Sequence, residues 1–241
     1  MKNKIYGLLL SIIIALFSTI LGKKFEIIGA PIIAVIIGIL INNLISLSEK
    51  FRPGIKFSSK YVLQASIVIL GFTLNLRQVK EVGLSSLSVT LITISAAYIG
   101  AYLLGRLLGV DKDLIALIGS GTAICGGSAI AAVSTVIEPE EHDLAYAMST
   151  IFLFNVIAAL IFPPIGHLLG MNDNVFGLWA GTAINDTSSV VAAGYAYSEA
   201  AGDFATIVKL SRTIMIIPIC FVYSFIKVRK KIRKICKKIR K

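Results

Sequence analysis

Apolar residues fall in eight long runs, at residues 5–21, 27–47, 61–76, 82–109, 114–137, 144–169, 175–197 and 204–226, with short polar connections between them. The runs are continuous and show no period-two alternation, so they predict helices rather than barrel strands. Most reach the roughly 20 residues that a helix needs to cross a hydrocarbon core. The third run is the weakest, being short and carrying Gln64, Thr73 and Asn75, while the fourth and sixth are long enough to tilt. The expected fold class is all-α, a polytopic transmembrane helical bundle of about eight spans. No connection is long enough to separate two domains. Residues 1–226 therefore read as one transmembrane helical domain and 227–241 as a basic cytoplasmic tail.

Composition supports lipid as the solvent. Hydrophobic residues make up 56% of the chain and charged residues 15%, with a mean hydropathy of +0.85; soluble domains carry roughly 25% charged residues. The net charge of +11 is a property of the tail, because residues 227–241 hold ten of the 24 Lys and Arg and leave 14 basic against 13 acidic elsewhere. A nucleic-acid partner is therefore not expected. Isoleucines interleaved with the tail's basic residues fit an amphipathic stretch against anionic lipid headgroups, worth about 1 kcal/mol per basic residue near the surface. With the N-terminus inside, cytoplasmic segments carry 18 Lys and Arg against four on the other side, which predicts both termini in the cytoplasm of a multi-pass inner-membrane protein. The acidic stretch Glu138, Glu140, Glu141 and Asp143 then falls outside. The first run has Lys2 and Lys4 ahead of it but no small-residue cleavage site, so it reads as a retained span. Three cysteines without a CxxC or Cys/His cluster support neither a disulfide framework nor a metal site, and no cofactor is expected.

Two runs break the apolar pattern near mid-depth. The fifth contains Gly119-Ser120-Gly121-Thr122-Ala123-Ile124-Cys125-Gly126-Gly127-Ser128, and the seventh contains Gly181-Thr182-Ala183-Ile184-Asn185-Asp186-Thr187-Ser188-Ser189. They share GTAI at an offset of 60 residues, and as spans two apart they are expected to run in the same direction. Four glycines within nine residues weaken a helix. In lipid, unwound backbone is tolerated only where protein buries it or a wet cavity meets it. Gly-rich broken helices near mid-membrane are therefore expected, offering N–H groups to anions or carbonyls to cations. The competing reading is close packing of small residues between helices.

The candidate solute-binding residues are Gly121, Thr122, Cys125, Gly126, Gly127 and Ser128 in the fifth run, and Thr182, Asn185, Asp186 and Ser189 in the seventh. Asp186 is the sharpest of them, because an ionisable group at that depth is costly. It fits a proton carrier, a cation ligand or a counter-ion, or else a protonated carboxyl bonded to a neighbouring helix. Lys209 and Arg212, three apart on one helix face, join the set. Two cations and one carboxylate leave a net +1 that a small anionic solute would neutralise, although Lys209 could instead snorkel to the interface. Asn155 and Asn75 are weaker candidates, since buried asparagine often only ties helices together. His142 and His167 sit near run ends and take no role. With no histidine base at mid-depth and one central carboxylate, no catalytic residue is expected and the chain does not read as an enzyme.

The stretch ICGGSAIAA followed by EPEEHDLAYA, the run FGLWAGTAINDTSSVVAAG and the later ATIVKLSRTIMIIP resemble the UPF0324 membrane proteins, a group also labelled the YeiH-type sulfate exporter family. The resemblance covers most of residues 5–226. It implies a multi-spanning inner-membrane protein with a transport role, with sulfate or organosulfonates as the suggested cargo. Two positions depart from the family pattern: Asn185 stands where His is common and Ser189 where Gln is common, so proton coupling would rest on Asp186 alone. Members usually continue with further spans beyond Ile226, so this chain is expected to be a C-terminally short member. A secondary transporter or exporter of a small anion is the expected function. The alternative is a non-transporting or truncated membrane protein acting as a partner subunit. The small-residue faces are compatible with a homodimer.

Overall fold

The computed structural model describes residues 2–24, 30–44, 48–73 and 76–239. Every regular element among them is helical: α1 (Lys2–Lys24), α2 (Ala30–Leu44), α3 (Arg52–Phe57), α4 (Leu63–Thr73), α5 (Leu76–Leu107), α6 (Lys112–Ala123), α7 (Gly127–Ile137), α8 (Glu141–Leu168), α9 (Asp173–Ala183), α10 (Thr187–Tyr197), α11 (Glu199–Thr213) and α12 (Ile216–Ile239). A π-helical turn, Ser58–Val62, joins α3 to α4. Asn75 and the 27–29 and 45–47 ends of the second predicted run lie outside the described residues. α12 continues unbroken through residue 227, where the tail was expected to begin.

Four stretches are long and apolar enough to cross a membrane: Lys4–Lys23, Val79–Leu107, Glu141–Leu168 and Glu199–Arg229. The last of these is α11 and α12 together, joined by a turn at Ile214 and Met215. Among the described residues, the predicted count of about eight spans is therefore not drawn as eight long helices.

The fifth and seventh runs depart most from expectation, because each is folded back on itself. In the run 114–137, Leu117 packs with Ile130 and Val133, and Leu114 and Ile137 flank the same cluster. A Cβ on Gly121 would lie 2.9 Å from Ile130 Cδ1, whereas a continuous helix would place residues nine apart about 13 Å from one another. α6 and α7 thus form a hairpin with its tip at residues 124–126. α9 and α10 do the same with a tip at 184–186. There the Phe176 and Tyr197 rings stack at 3.9 Å, the Tyr197 hydroxyl donates to the Met171 carbonyl, and Ser198 Oγ donates to Asp173 Oδ1 at 2.6 Å. The physical reason is length. A 24-residue apolar run suits one full crossing or two half-depth helices equally well, and the glycine-rich middle favours the fold-back.

The hairpins approach from opposite ends of the bundle. Lys227 Nζ lies 2.8 Å from Glu138 Oε2, and Gly105 packs on Ile115. The end of α5, the starts of α6 and α8 and the outer part of α12 therefore share one end. The acidic stretch 138–143 sits there beside the tail helix, not across from it as the eight-span count required. α8 runs to the other end, where Gly166 meets Phe176 and Tyr197. From that end α11 runs parallel to α9, with Gly177 against Ala201 and Phe204 and Gly181 against Ala205 and Val208. It runs antiparallel to α10, and a Cβ on Gly194 would be 2.8 Å from the Gly202 Cα.

This corrects the expected direction of the two GTAI segments. Between Gly121 and Gly181 the chain completes one hairpin and one crossing, so the second copy arrives from the opposite face. α7 and α10 are offset by 60 residues at both ends, and the order hairpin then long helix occurs twice. The arrangement is an inverted repeat.

Candidate functional site

The site is built where the two tips meet. α6 stops at Ala123, and α7 restarts after Gly126, whose φ of 64° and ψ of −126° suit a residue without a Cβ. A Cβ there would lie 3.2 Å from Ile151 Cγ2 and 3.5 Å from the Asn185 carbonyl. The first tip therefore rests directly on the second.

Helix C-termini leave carbonyls without intrahelical partners and carry a partial negative charge of about half an electron. Both α6 and α9 end in the middle of the protein, so these carbonyls face each other away from water. α11 answers them. Lys209 Nζ donates to the carbonyls of Ile124 and Ile184, each at 2.8 Å. Arg212 Nε donates to Ala123 O at 2.5 Å, Nη2 to Thr122 O at 3.2 Å, and Nη1 to Thr182 O. Both side chains are fully buried, with relative exposures of 0% and 1%. Lys209 does not snorkel to an interface. Its ammonium and the Arg212 guanidinium cap two helices at once, one from each hairpin.

The second tip has its own cap. Asp186 is the N-cap of α10, and its Oδ2 accepts from Ser189 N at 3.2 Å. The Ser188 hydroxyl also donates to that carboxylate, and Ser189 Oγ lies 3.5 Å from it. Asn155, reaching in from α8, accepts the Asn185 and Asp186 N–H groups on Oδ1 at 2.9 and 3.2 Å. The positive N-terminus of α10 is thus met by a carboxylate. The N-cap residue of α7, Gly126, has no side chain to cap it, and the Cys125 thiol meets the first-turn N–H of Ala129 instead.

The structure brings most of the expected residues to this junction. Gly121 lies against Ile130 and Ile151, and Gly127 against Met148 and Phe152. Cys125 is buried at the first tip beside Ala129 and Ile94. Thr122 and Thr182 contribute carbonyls to Arg212, while the Thr182 hydroxyl donates back to Leu178 O. Asn185 and Asp186 form the second tip with Ser189 just behind them. Ser128 is exposed on the outer side of α7 and stands apart from the cations. His142 is exposed near Glu140 and Asp143, and His167 stacks on Tyr197 at the hairpin base.

Three contributors were not visible in the sequence: the carbonyls of Ala123, Ile124 and Ile184. A backbone oxygen has no residue type to flag it. Asn155 carries the second tip, and its one signal in the sequence is polarity within the otherwise apolar run 151–163.

The chain resembles proteins known from sequence. A family model described as "Conserved hypothetical protein 698" matches residues 6–240. A UPF0324 membrane protein of Streptococcus agalactiae serotype V is 50% identical over 228 residues, covering 92% of this chain and 68% of the relative. One from Clostridium tetani is 46% identical over 230 residues, at 95% and 67% coverage. One from Fusobacterium nucleatum is 48% identical over 225 residues, at 91% and 65% coverage. No solved structure matches the chain.

Proposed function

We propose, from the premise that this chain belongs to the UPF0324 membrane protein family, that it is a secondary transporter of a small anionic solute. The observation that carries this reading is the meeting of two half-depth hairpins, entering from opposite ends, around two buried cations and a carboxylate. A packed bundle needs no such breaks, and discontinuous helices that meet at mid-depth in an inverted repeat are a transporter arrangement. With the tip carbonyls held by Lys209 and Arg212, what the junction offers a ligand is N–H donors at the α7 N-terminus. Donors suit an anion. Sulfate and organosulfonates are the cargo that the family resemblance points to.

In this reading the end holding Arg106, Lys112, Lys227 and Arg229 is cytoplasmic, against Arg77 and Lys80 at the other end of α5–α12. Both termini are then cytoplasmic in the inner membrane, and the tail faces anionic headgroups. Residues 1–226 act as one membrane domain, with no catalysis and no cofactor. A homodimer is compatible with this arrangement.

Purified protein in proteoliposomes tests the proposal. Uptake or counterflow of labelled sulfate or methanesulfonate, lost in Arg212→Ala, is the expected result. Inert liposomes that regain transport only with a second membrane protein would favour the partner-subunit reading instead. Binding and flux untouched in both Asp186→Asn and Arg212→Ala proteins would remove the site.

A further inference from the structure

Asn155 is 1% exposed, and its amide is half used. The oxygen accepts two backbone N–H groups, from Asn185 and Asp186. Because both partners are donors, the atom facing them is the oxygen and the nitrogen points elsewhere. Among the described residues, no acceptor reaches Nδ2. Buried amide donors are paired in the great majority of structures, and hydrocarbon supplies no water to stand in.

The surroundings say what kind of partner fits. Asn155 lies one turn beyond Ile151 on α8, and Ile151 packs against Gly121 and Gly126 of the first tip. Asn155 is thus placed at the junction and bonded to the second tip. The carbonyls of Thr122, Ala123, Ile124, Thr182 and Ile184 are engaged by Lys209 and Arg212. The α7 N-terminus at the same junction adds further N–H donors, of which the one at Ala129 is met by the Cys125 thiol. A ligand that satisfies Nδ2 must bring an acceptor oxygen of its own.

We infer that Asn155 is the residue through which the site senses its solute: the amide oxygen holds the second tip, and the amide nitrogen donates to one oxygen of the bound anion. The inference rests on the transport reading above. It adds a consequence, because one planar group then links occupancy to the conformation of the α9–α10 hairpin.

Asn155→Asp separates the two roles. It keeps an oxygen for the Asn185 and Asp186 N–H groups but replaces the donor with a second, negative oxygen. Thermal unfolding of the full chain in detergent, titrated with sulfate and with methanesulfonate, is the measurement. This variant should weaken the anion-induced shift about tenfold or more in apparent affinity, read against its own ligand-free unfolding temperature, which the buried carboxylate lowers. Asn155→Leu should lower ligand-free stability as well, since the tip then loses its acceptor. A high-resolution cryo-EM map with sulfate present should show an anion oxygen within hydrogen-bonding distance of Nδ2. A wild-type anion response in Asn155→Asp, or a map with only water or protein around Nδ2, overturns the inference while leaving transport standing. A wild-type protein that responds to neither anion overturns the transport reading and this inference with it.

Discussion

The carbonyl oxygens of Ile124 and Ile184 share one ammonium: each lies 2.8 Å from Lys209 Nζ, although the two residues belong to hairpins that enter from opposite ends. One side chain therefore closes two helix ends that the chain itself leaves open.

Lys209→Met removes that closure while keeping most of the side-chain volume. Two buried carbonyls lose their donor, at about 1–3 kcal/mol each, so folded yield and unfolding temperature in detergent should fall sharply. Lys209→Arg should not recover them fully, because a planar guanidinium does not replace a compact ammonium between two oxygens. Unchanged unfolding temperatures in Lys209→Met would show that the bridge contributes nothing.

Gly126→Ala places a side chain at a φ of 64° and a ψ of −126°, against Ile151 and the Asn185 backbone. The cost should be about 1–3 kcal/mol. Gly100→Ala, in α5 with nothing within 4 Å of its Cβ position, is the control. It should be neutral or stabilise by up to about 1 kcal/mol. Equal behaviour of the two variants in thermal unfolding would contradict the tip geometry.

The hairpins fix which loops share a compartment. In a cysteine-free background, an impermeant maleimide should reach Glu140→Cys from the same side as Arg229→Cys. It should reach Asn174→Cys from the opposite side. Eight continuous spans require the reverse for both positions, so labelling of intact cells and of inverted vesicles decides between the two topologies.

Asp186→Asn retains an oxygen for the Ser189 N–H and should fold close to normally, while flux in proteoliposomes falls at least about tenfold through loss of the charge. Asp186→Ala also loses the cap and should destabilise by about 1 kcal/mol. Full flux in the Asp186→Asn protein would reduce Asp186 to a helix cap.

Much of this was legible in the residues. Continuous apolar runs gave helices, and glycines at 119, 121, 126 and 127 marked a break. The GTAI copies marked a repeat, and the spacing of Lys209 and Arg212 put both on one helix face. The fold-back was not legible, because hydropathy measures length and cannot separate one 24-residue crossing from two helices of half that length. Direction was lost with it: counting the run 114–137 as a crossing turned an inverted repeat into a parallel one. The targets of the two cations were hidden for a different reason. Their partners are peptide oxygens, and Ile124 or Ala123 would read in any sequence as core.

The turn at Ile214 and Met215 divides one spanning element between two masters. α11 is packed on α9 and α10, whereas α12 lies along α7, so each half rests on a different hairpin. Lys209 and Arg212 sit on the α11 side of this joint, yet reach across to Thr122, Ala123 and Ile124 with three hydrogen bonds. Any displacement of one hairpin against the other must flex the joint and part those bonds together. In the structure the two cations tie the halves together across the turn.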